Sequence, residues 1–274
     1  METVAPGLFR LPLRTPTLPP ATTTNTLLVV GDGVVVIEPA TPFADEQVRL
    51  AEALDDLASR GHPLVAILLT HHHPDHIGHA DALRAARGVP IMAHEATAAR
   101  VPFAVDRLLA DGERVELGDG VTLRAVFTPG HAPGHLVYVE ERSRVAYVGD
   151  MVAGEGTILV DPYDGGDMAQ YLESLRRTKA LRAAALVPAH GPVLRDPDVI
   201  LDHYVAHRLA REAKILAVLA DAPLPIAQLV ARAYDDTPPL LWPLAERSAE
   251  AHLRKLVAEA RVALDAGTWR LTPA

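Results

Sequence analysis

The sequence predicts an α/β fold followed by a small, mostly helical module, and three observations lead there. Up to about Asp198, short β-like runs alternate with amphipathic helical patterns, as is typical of α/β proteins. Beyond that point the pattern is helical until a short terminal hairpin. The composition is that of a globular chain, since 49% of the 274 residues are hydrophobic and 22% are charged. We therefore predict two domains, residues 1–202 and 203–274.

The first domain is predicted to begin with a hairpin and a helix. The runs TLLVV and VVVI flank a tight-turn signal at residues 31–33, and residues 45–61 show helical spacing that ends in glycine. The apolar run PLVAILLT predicts a buried strand, and residues 80–88 predict a second helix closed by Gly88. Further strands are predicted at VTLRAVF, RVAYVG and AALVPA, with a helix over residues 167–181 between the last two.

The second domain is predicted to contain three helices and a hairpin. The helical patterns cover residues 200–220, 225–234 and 244–262, and the hairpin turns at Ala266 and Gly267. This order of elements is typical of a winged-helix-like α+β module.

The absence of cysteine and the distribution of charge narrow the possible functions. Without cysteine, the chain has no disulfide, and any metal must be held by His, Asp or Glu. No signal-peptide pattern and no run of 18 apolar residues is present, so we expect a cytoplasmic protein that does not bind membranes. Residues 1–202 carry 17 Lys/Arg and 27 Asp/Glu, whereas residues 203–274 carry 9 and 8. An acidic body attracts polyanions poorly.

The stretch LLTHHHPDHIGHA places five histidines and one aspartate directly after the apolar strand. In an extended segment His71 and His73 point the same way and His72 points oppositely. Pro74 then turns the chain, so that Asp75 and His76 approach the same centre from another angle. The alternative is a solvated polar loop or a helix N-terminus.

Downstream, the same pattern recurs after three more predicted strands. His131 follows VTLRAVF, Asp150 follows RVAYVG, and His190 follows AALVPA. If the four strands lie side by side, these side chains converge on one edge of a sheet. Two three-ligand metal sites sharing an aspartate then become the preferred interpretation.

The ordered motifs THHHPDH, TPGH, VGD and PAHG resemble those of the metallo-β-lactamase superfamily, across residues 25–195. The resemblance implies an αββα sandwich that binds two metal ions. It implies that His71, His73 and His131 bind the first ion, that Asp75, His76 and His190 bind the second, and that Asp150 bridges them. The last 130 residues are similar to the beta-lactamase-like protein 2 group.

The sequence departs from the superfamily pattern at positions next to the motifs. Glu38 and Ala40 stand where Asp and Gly are usual, and Ala132 stands where Thr is common. None of these departures affects an expected ligand, but they bear on the hydrogen bonds behind the ligands. His135 is expected to brace the TPGH loop without binding metal.

The resemblance implies a zinc hydrolase with two ions per chain. A hydroxide held between the ions would be the nucleophile, and Asp75 would orient it as the catalytic carboxylate. Related diiron proteins that reduce oxygen carry Glu in place of the second signature histidine. His73 occupies that position here, so we favour hydrolysis.

Two substrate classes remain, and we place RNA slightly ahead of acyl substrates because a pair of metal ions suits phosphodiester hydrolysis. The beta-lactamase-like protein 2 group implies an endoribonuclease acting on single-stranded RNA, whereas a likeness to glyoxalase II implies a thioesterase, esterase or lactonase acting on small acyl substrates. The acidic charge and an aromatic content of 4% argue against RNA. A transcription regulator with a structural metal is a weaker third hypothesis, since paired three-ligand sites leave positions open for water. The oligomeric state is not set by these motifs.

The remaining histidines and the C-terminal arginines favour structural roles. His203 and His207 have a helical spacing that can hold zinc, but no glutamate lies between them. His252 is expected at the surface. Arg247 and Arg254 recur on one helical face, with Glu250 between them in a salt-bridge pattern. We therefore expect no binding of duplex DNA, and a module that walls the active-site cleft. The glycine-rich loop after Asp150 is a candidate for another wall.

Overall fold

Two β-sheets pack face to face in the protein, whose structure is a computed structural model that describes residues 1–273. The first sheet has seven strands in sequence order, antiparallel from the first to the fourth and parallel from the fourth to the seventh. Its strands are β1 (Glu2–Ala5), β2 (Leu8–Arg14), β3 (Thr23–Val30), β4 (Val34–Ile37), β5 (Leu64–Leu68), β6 (Ile91–Ala93) and β7 (Arg107–Leu108). The helices between them are α1 (Ala44–Ser59), α2 (Pro74–Ile77), α3 (Ala80–Arg87) and α4 (Glu95–Ala98).

The second sheet has five strands in the order β12-β11-β10-β9-β8. It is antiparallel except for the parallel pair β11 and β12. Its strands are β8 (Arg114–Glu116), β9 (Thr122–Phe127), β10 (Leu136–Glu140), β11 (Val145–Gly149) and β12 (Ala185–Pro188), and α5 (Met168–Ala180) connects the last two.

Burial on both faces of each sheet produces the αββα layers. In β4, Val35 and Ile37 join the core between the sheets, whereas Val34 and Val36 join the core beneath α1 and α3. The second sheet packs its outer face against α5 in the same way. A strand covered on both sides reads as an unbroken apolar run, which is why VVVI is recognisable in the sequence.

The predicted strands and helices are present, and the structure adds elements that the sequence pattern hides. The N-terminal strands β1 and β2 are not predicted, since Pro12 and two arginines break the apolar pattern of LFRLPLR. Strands β6, β7 and β8 have only two or three residues each. Such runs are too short for a period of two to be recognised.

The four strands that precede the candidate ligands do not lie side by side in one sheet, so that expectation is wrong. Strand β5 belongs to the first sheet, whereas β9, β11 and β12 belong to the second. Their C-terminal ends meet across the sandwich because the two sheets share the core between them. The ligands converge at one end of two sheets, where a cleft opens.

Three helices and a hairpin form the C-terminal module, as predicted. They are α6 (Pro197–Asp221), α7 (Ile226–Ala233), α8 (Trp242–Ala258), β13 (Val262–Asp265) and β14 (Thr268–Leu271). Helix α6 begins against the sandwich through Leu201 and ends in the module core through Ile215 and Leu219. The domain boundary predicted at residue 202 thus falls inside a continuous helix. Within residues 1–273, no helix combines the length and apolarity needed to cross a membrane.

Candidate metal centre

Three histidine rings from two loops point nitrogen atoms at one another. His71 and His73 follow β5, and His131 follows β9. His71 Nε2 lies 2.9 Å from His73 Nδ1, and His131 Nε2 lies 3.0 Å from His73 Nδ1 and 3.3 Å from His71 Nε2. Tetrahedral zinc with bonds of about 2.0–2.1 Å requires ligand nitrogens about 3.3 Å apart. The spacing of the three nitrogens therefore fits one metal ion.

Hydrogen bonds behind the rings fix which nitrogen faces the centre. In each ring the far nitrogen is the one that points away from the centre. The far nitrogen of His131, Nδ1, donates to the carbonyl of Leu159 at 2.8 Å, and that of His73, Nε2, lies 2.8 Å from Asp164 Oδ2. His71 Nδ1 lies 2.8 Å from the hydroxyl of Thr70. A ring that donates from one nitrogen keeps the lone pair of the other for a metal. Burial and the neighbouring histidines lower the pKa of His71 and His131 well below the ordinary value, so both rings are neutral.

A second set of three side chains lies beside the first. His76 Nε2 is 3.7 Å from Asp75 Oδ1, and His190 Nε2 is 3.6 Å from Asp75 Oδ2. The far nitrogen of His190 donates to the carbonyl of Thr23 at 3.0 Å. In both sets the possible ligand atoms lie within 4.8 Å of one another.

Asp150 stands between the two sets. Its Oδ2 lies 3.4 Å from His131 Nε2 and 3.7 Å from His76 Nε2, and its Oδ1 lies 3.4 Å from His190 Nε2. Among the described residues, Asp150 Oδ1 and His76 Nε2 are buried without a hydrogen-bond partner. Buried polar atoms without partners are costly, and a cation between them would satisfy both. The donor set fits the two metal ions that the superfamily implies.

Two glycines allow His131 and Asp150 to reach this position. Gly130 has a φ of +126°, and a Cβ there would lie 2.1 Å from the backbone nitrogen of Tyr171. Gly149 has a φ of +49°, and a Cβ there would lie 2.6 Å from His135 Nε2. Only glycine fits either place without displacing its neighbours.

Glu38 is the main residue behind the second set, and the sequence flagged it only as a departure. It is fully buried and adopts a φ of +57°, a left-handed conformation that is uncommon for a side chain other than glycine. Its carboxylate accepts hydrogen bonds from Tyr147 Oη at 2.6 Å, His76 Nδ1 at 2.9 Å and Thr70 Oγ1. Burial opposes the charge of Glu38, but His76 and these hydrogen bonds lower its pKa below the ordinary value. Glu38 is thus a buried anion that orients His76.

Three carboxylates surround His76 and change its pKa. Burial alone would lower its pKa, but Glu38, Asp75 and Asp150 outweigh burial and raise it to about 10. Three negative groups around one imidazole create a site that favours positive charge, whether it comes from a proton or from a metal ion.

His135 lies behind Asp150, where it braces the loop. Its Nδ1 is 2.9 Å from the hydroxyl of Thr128, and its Nε2 accepts from the backbone N–H of Asp150 at 3.2 Å. Burial lowers the pKa of His135 to about 3, which keeps the ring neutral and able to accept. Neither nitrogen is directed at the two sets.

Asp164 is a residue that sequence analysis missed. It lies 3.2 Å from His72 Nε2 as well as 2.8 Å from that of His73, and their hydrogen bonds lower its pKa to about 2. His72 therefore faces away from the centre, as the alternation predicts, and ends on a carboxylate that also holds His73. Asp164 carries no sequence signal because it ends a 3-10 helix of only three residues, Pro162–Asp164, in the loop between β11 and α5.

A cavity of about 220 Å³ opens over the two sets. Its walls include Leu18 from the N-terminal segment and Glu155, Thr157 and Leu159 from the loop after Asp150. That loop lines the cleft, as the sequence suggested. A larger, open groove of about 800 Å³ lies at the opposite ends of β11 and β12, and its lining includes four arginines and one lysine. It contains none of the candidate ligands, so we place the chemistry in the smaller cleft.

The histidines and arginines of the C-terminal module do not converge on a centre as the sandwich histidines do. The rings of His203 and His207 stack at 6.3 Å between centroids, and neither belongs to a cluster that could hold metal in the described part of the chain. His252 is fully buried, so its predicted surface position is wrong. Its ring lies 3.8 Å from Glu212 on α6, a contact that helical periodicity alone does not reveal. Arg254 pairs with Glu250, as predicted, and Arg247 reaches Asp161 on the cleft loop.

Comparison with known proteins agrees with this architecture. Residues 19–190 match the family model described as the metallo-beta-lactamase superfamily, and residues 226–269 match that of the beta-lactamase associated winged helix domain. A metallo-beta-lactamase family protein from Thermus thermophilus superposes with a TM-score of 0.80 at 25% identity, covering 98% of this chain and 100% of that one.

Two curated relatives extend the comparison. The chain is 31% identical over 205 residues to the beta-lactamase-like protein 2 homolog of Caenorhabditis elegans, a match that covers 72% of this chain and 66% of that protein. It is 31% identical over 199 residues to the thioesterase pkgB of Emericella nidulans, covering 72% and 54%. The chain thus matches about two thirds of the first protein and about half of the second. With the fold, the donor sets and the family models in agreement, the chain belongs to the metallo-beta-lactamase superfamily and is a hydrolase of that superfamily.

Proposed function

We propose that the protein is a hydrolase with two zinc ions and that it cleaves small acyl substrates, foremost thioesters. The observation that carries the metal part is the arrangement of the five histidines in the two sets. Each has its far nitrogen next to a carbonyl, carboxylate or hydroxyl oxygen, and each directs the other nitrogen at the centre. Such support behind the rings is typical of metal-binding histidines.

The ligand sets are those expected from the sequence. His71, His73 and His131 would hold one ion, Asp75, His76 and His190 would hold the other, and Asp150 would contact both. When bound, the pair of ions supplies a hydroxide nucleophile at neutral pH and polarises the scissile carbonyl. No serine or cysteine nucleophile is then needed.

The side chains of this protein have separate tasks in that reaction. Asp75 lines the cleft; burial opposes its charge, but His76, Thr17 and His190 lower its pKa, so the carboxylate is ionised and can orient the attacking water through a hydrogen bond. Glu38 and Asp164 hold His76 and His73 in the orientations that ligation requires. Leu18 and Leu159 exclude water from one side of the cleft.

Charge favours an acyl substrate over RNA. The cleft is lined by Asp75, Asp150, Glu155, Asp161 and Asp164, and by no lysine or arginine. A single-strand binder normally tracks phosphates with a positive groove and stacks bases on aromatic rings, and the lining of the cleft offers neither. The similarity to a thioesterase points the same way.

A substrate panel tests the proposal. The zinc-loaded protein is incubated separately with a small thioester, a lactone and a labelled single-stranded RNA, and an Asp75→Ala variant purified in parallel reports contamination. We expect thioester hydrolysis that the variant lacks. Cleavage of RNA by the wild type alone, with no turnover of thioester or lactone, would reverse the assignment.

A further inference from the structure

A second cavity, of about 320 Å³, lies between the sandwich and the C-terminal module. One wall is Ile158 from the cleft loop, and the opposite wall is formed by Leu241, Leu244 and Ala245 at the start of α8. Its volume lies at the lower end of the range of about 300–1,000 Å³ that is typical of small-molecule sites. The module therefore encloses a space that the sandwich alone would leave open.

This interdomain cavity adjoins the cleft over the metal centre. Leu18, Thr157 and Leu159 line both spaces. A substrate with its reacting carbonyl at the metal centre can therefore extend past these three residues toward the module. The two spaces differ in character, since the cleft is lined by carboxylates and the cavity mainly by apolar side chains.

A buried arginine that has no carboxylate partner within residues 1–273 lines the interdomain cavity. Arg208 on α6 is only 4% exposed, and its guanidinium stacks over the ring of Tyr171 at 5.2 Å. Its Nη2 donates to the carbonyl of Ile158, and its Nε has no hydrogen-bond partner among the described residues. A buried cation without a counter-charge is unfavourable, so an anion entering the cavity would be stabilised there.

The neighbouring arginine, Arg211, has the carboxylate partner that Arg208 lacks in the part of the chain that the structure describes. Arg211, one helical turn along, forms an ion pair with Asp236 at 2.8 Å and stacks over Tyr234 at 4.1 Å. The hydroxyl of Tyr234 is itself buried and has no hydrogen-bond partner within residues 1–273. Arg208 and Tyr234 are thus two buried polar groups in the lining that have hydrogen-bonding capacity left over, whereas Asp236, which also lines the cavity, is already paired with Arg211.

We propose that the interdomain cavity binds the acyl group of the substrate, an apolar chain that ends in a carboxylate paired with Arg208. The proposal rests on the acyl hydrolysis proposed above and specifies its substrate as a monothioester of a dicarboxylic acid. The apolar walls would take the methylene chain, while the distal carboxylate would meet the guanidinium. The C-terminal module is then a specificity element.

Binding of analogues that cannot be hydrolysed tests the cavity without relying on turnover. Two thioethers of N-acetylcysteamine serve as probes, one with an eight-carbon alkyl chain and one with the same chain ending in a carboxylate. Calorimetry with the zinc-loaded protein should show binding of the carboxylated probe at least about tenfold tighter, since hydrogen bonds to charged groups contribute that much or more. Equal affinities for the two probes would overturn the role of Arg208.

Variants locate the binding. Leu244→Trp fills the cavity and should weaken both probes by at least about tenfold, whereas Val257→Trp, at an exposed position of the same helix outside the cavity, should not. Arg208→Met should bring the ratio of the two affinities close to one. Unchanged binding in Leu244→Trp overturns the cavity, and a preserved ratio in Arg208→Met means that the carboxylate binds elsewhere, for example at the metals.

The matching thioesters separate this inference from the proposed function. If the carboxylated probe binds as expected but neither thioester is hydrolysed, acyl hydrolysis fails and the cavity stands as an anion-binding apolar site. If both thioesters are hydrolysed at equal rates and Leu244→Trp affects neither, acyl hydrolysis stands and the cavity assignment is overturned.

Discussion

Histidines in the sandwich and histidines in the C-terminal module occupy different environments, since those of the metal centre are buried or half-buried whereas His203 and His207 are exposed. In the sandwich, His71 and His131 direct one nitrogen at a shared centre and have the other hydrogen-bonded. In the module, His203 and His207 stack on each other at helical spacing, and His252 is buried with neither nitrogen hydrogen-bonded. Two histidines spaced along one helix lie close together, but their ring nitrogens do not point at a common centre. Convergence requires loops from several strand ends and a fixed tautomer for each ring.

Removing Asp150 should have the largest effect, because it is the side chain that both metal sets share. Asp150→Ala is expected to lose zinc from the centre and to lower turnover by more than about 100-fold, beyond the range expected for groups that only support ligands. Zinc content and rate are measured on the same samples. His203→Ala, in the module, is the control and should leave zinc content unchanged; equal losses in both variants would remove the distinction between the regions.

Within the signature loop, Asp75 and His72 should differ sharply. Asp75→Ala is expected to abolish turnover while the fold is retained, since the carboxylate belongs to the second set and lines the cleft. His72→Ala should cost little, because His72 faces Asp164 at 3.2 Å, outside the two sets. Rates are compared after circular dichroism has verified folding. A larger loss in His72→Ala would show that the loop is oriented differently.

Glu38 should have an intermediate effect that acts through His76. Glu38→Gln keeps the size of the side chain but removes the charge opposite His76 Nδ1, and we expect metal affinity to fall about 10–100-fold. Competition with a zinc chelator measures this affinity. Glu140→Gln is a matched control, because Glu140 is also buried in the sandwich but bonds only to the backbone of residues 142 and 143. A similar loss of affinity in the control would point to general destabilisation.

The smallest effect is expected in the module, where the carboxylate of Glu212 stabilises the fold but belongs to neither metal set. Burial opposes the charge of Glu212, but the adjacent His252, 3.8 Å away, and a hydrogen bond from Lys255 outweigh it and lower its pKa to about 2. Because the unfolded value is about 4.3, this stabilisation is fully present above that pH and is lost as the pH falls toward 2. Thermal unfolding of metal-free protein across this range should show the loss, and Glu212→Gln should flatten it. An unchanged pH profile in the variant would contradict the assignment.

How much the sequence predicted depends on the kind of contact. His71, Asp150 and His190 each follow the C-terminal end of an apolar strand, so their convergence could be expected from those positions. Asp164 could not be found, because it reaches His73 from a three-residue 3-10 helix far along the chain, which is too short to leave a recognisable pattern. The sharing of the ligands between two sheets was also hidden, since strand patterns do not reveal which sheet a strand joins. His252 was misplaced because α6 packs against its face of α8 and brings Glu212 within 3.8 Å of the ring, a contact that helical periodicity does not reveal.

Zinc stoichiometry is the most direct test of the account. Protein purified without chelators is analysed by mass spectrometry for metal per chain, then titrated with zinc, alongside a variant in which His71 and His131 are both replaced by alanine. The account predicts about two zinc ions per wild-type chain after titration and at most one in the variant. No zinc as purified together with no uptake on titration, or equal uptake by both proteins, would contradict it.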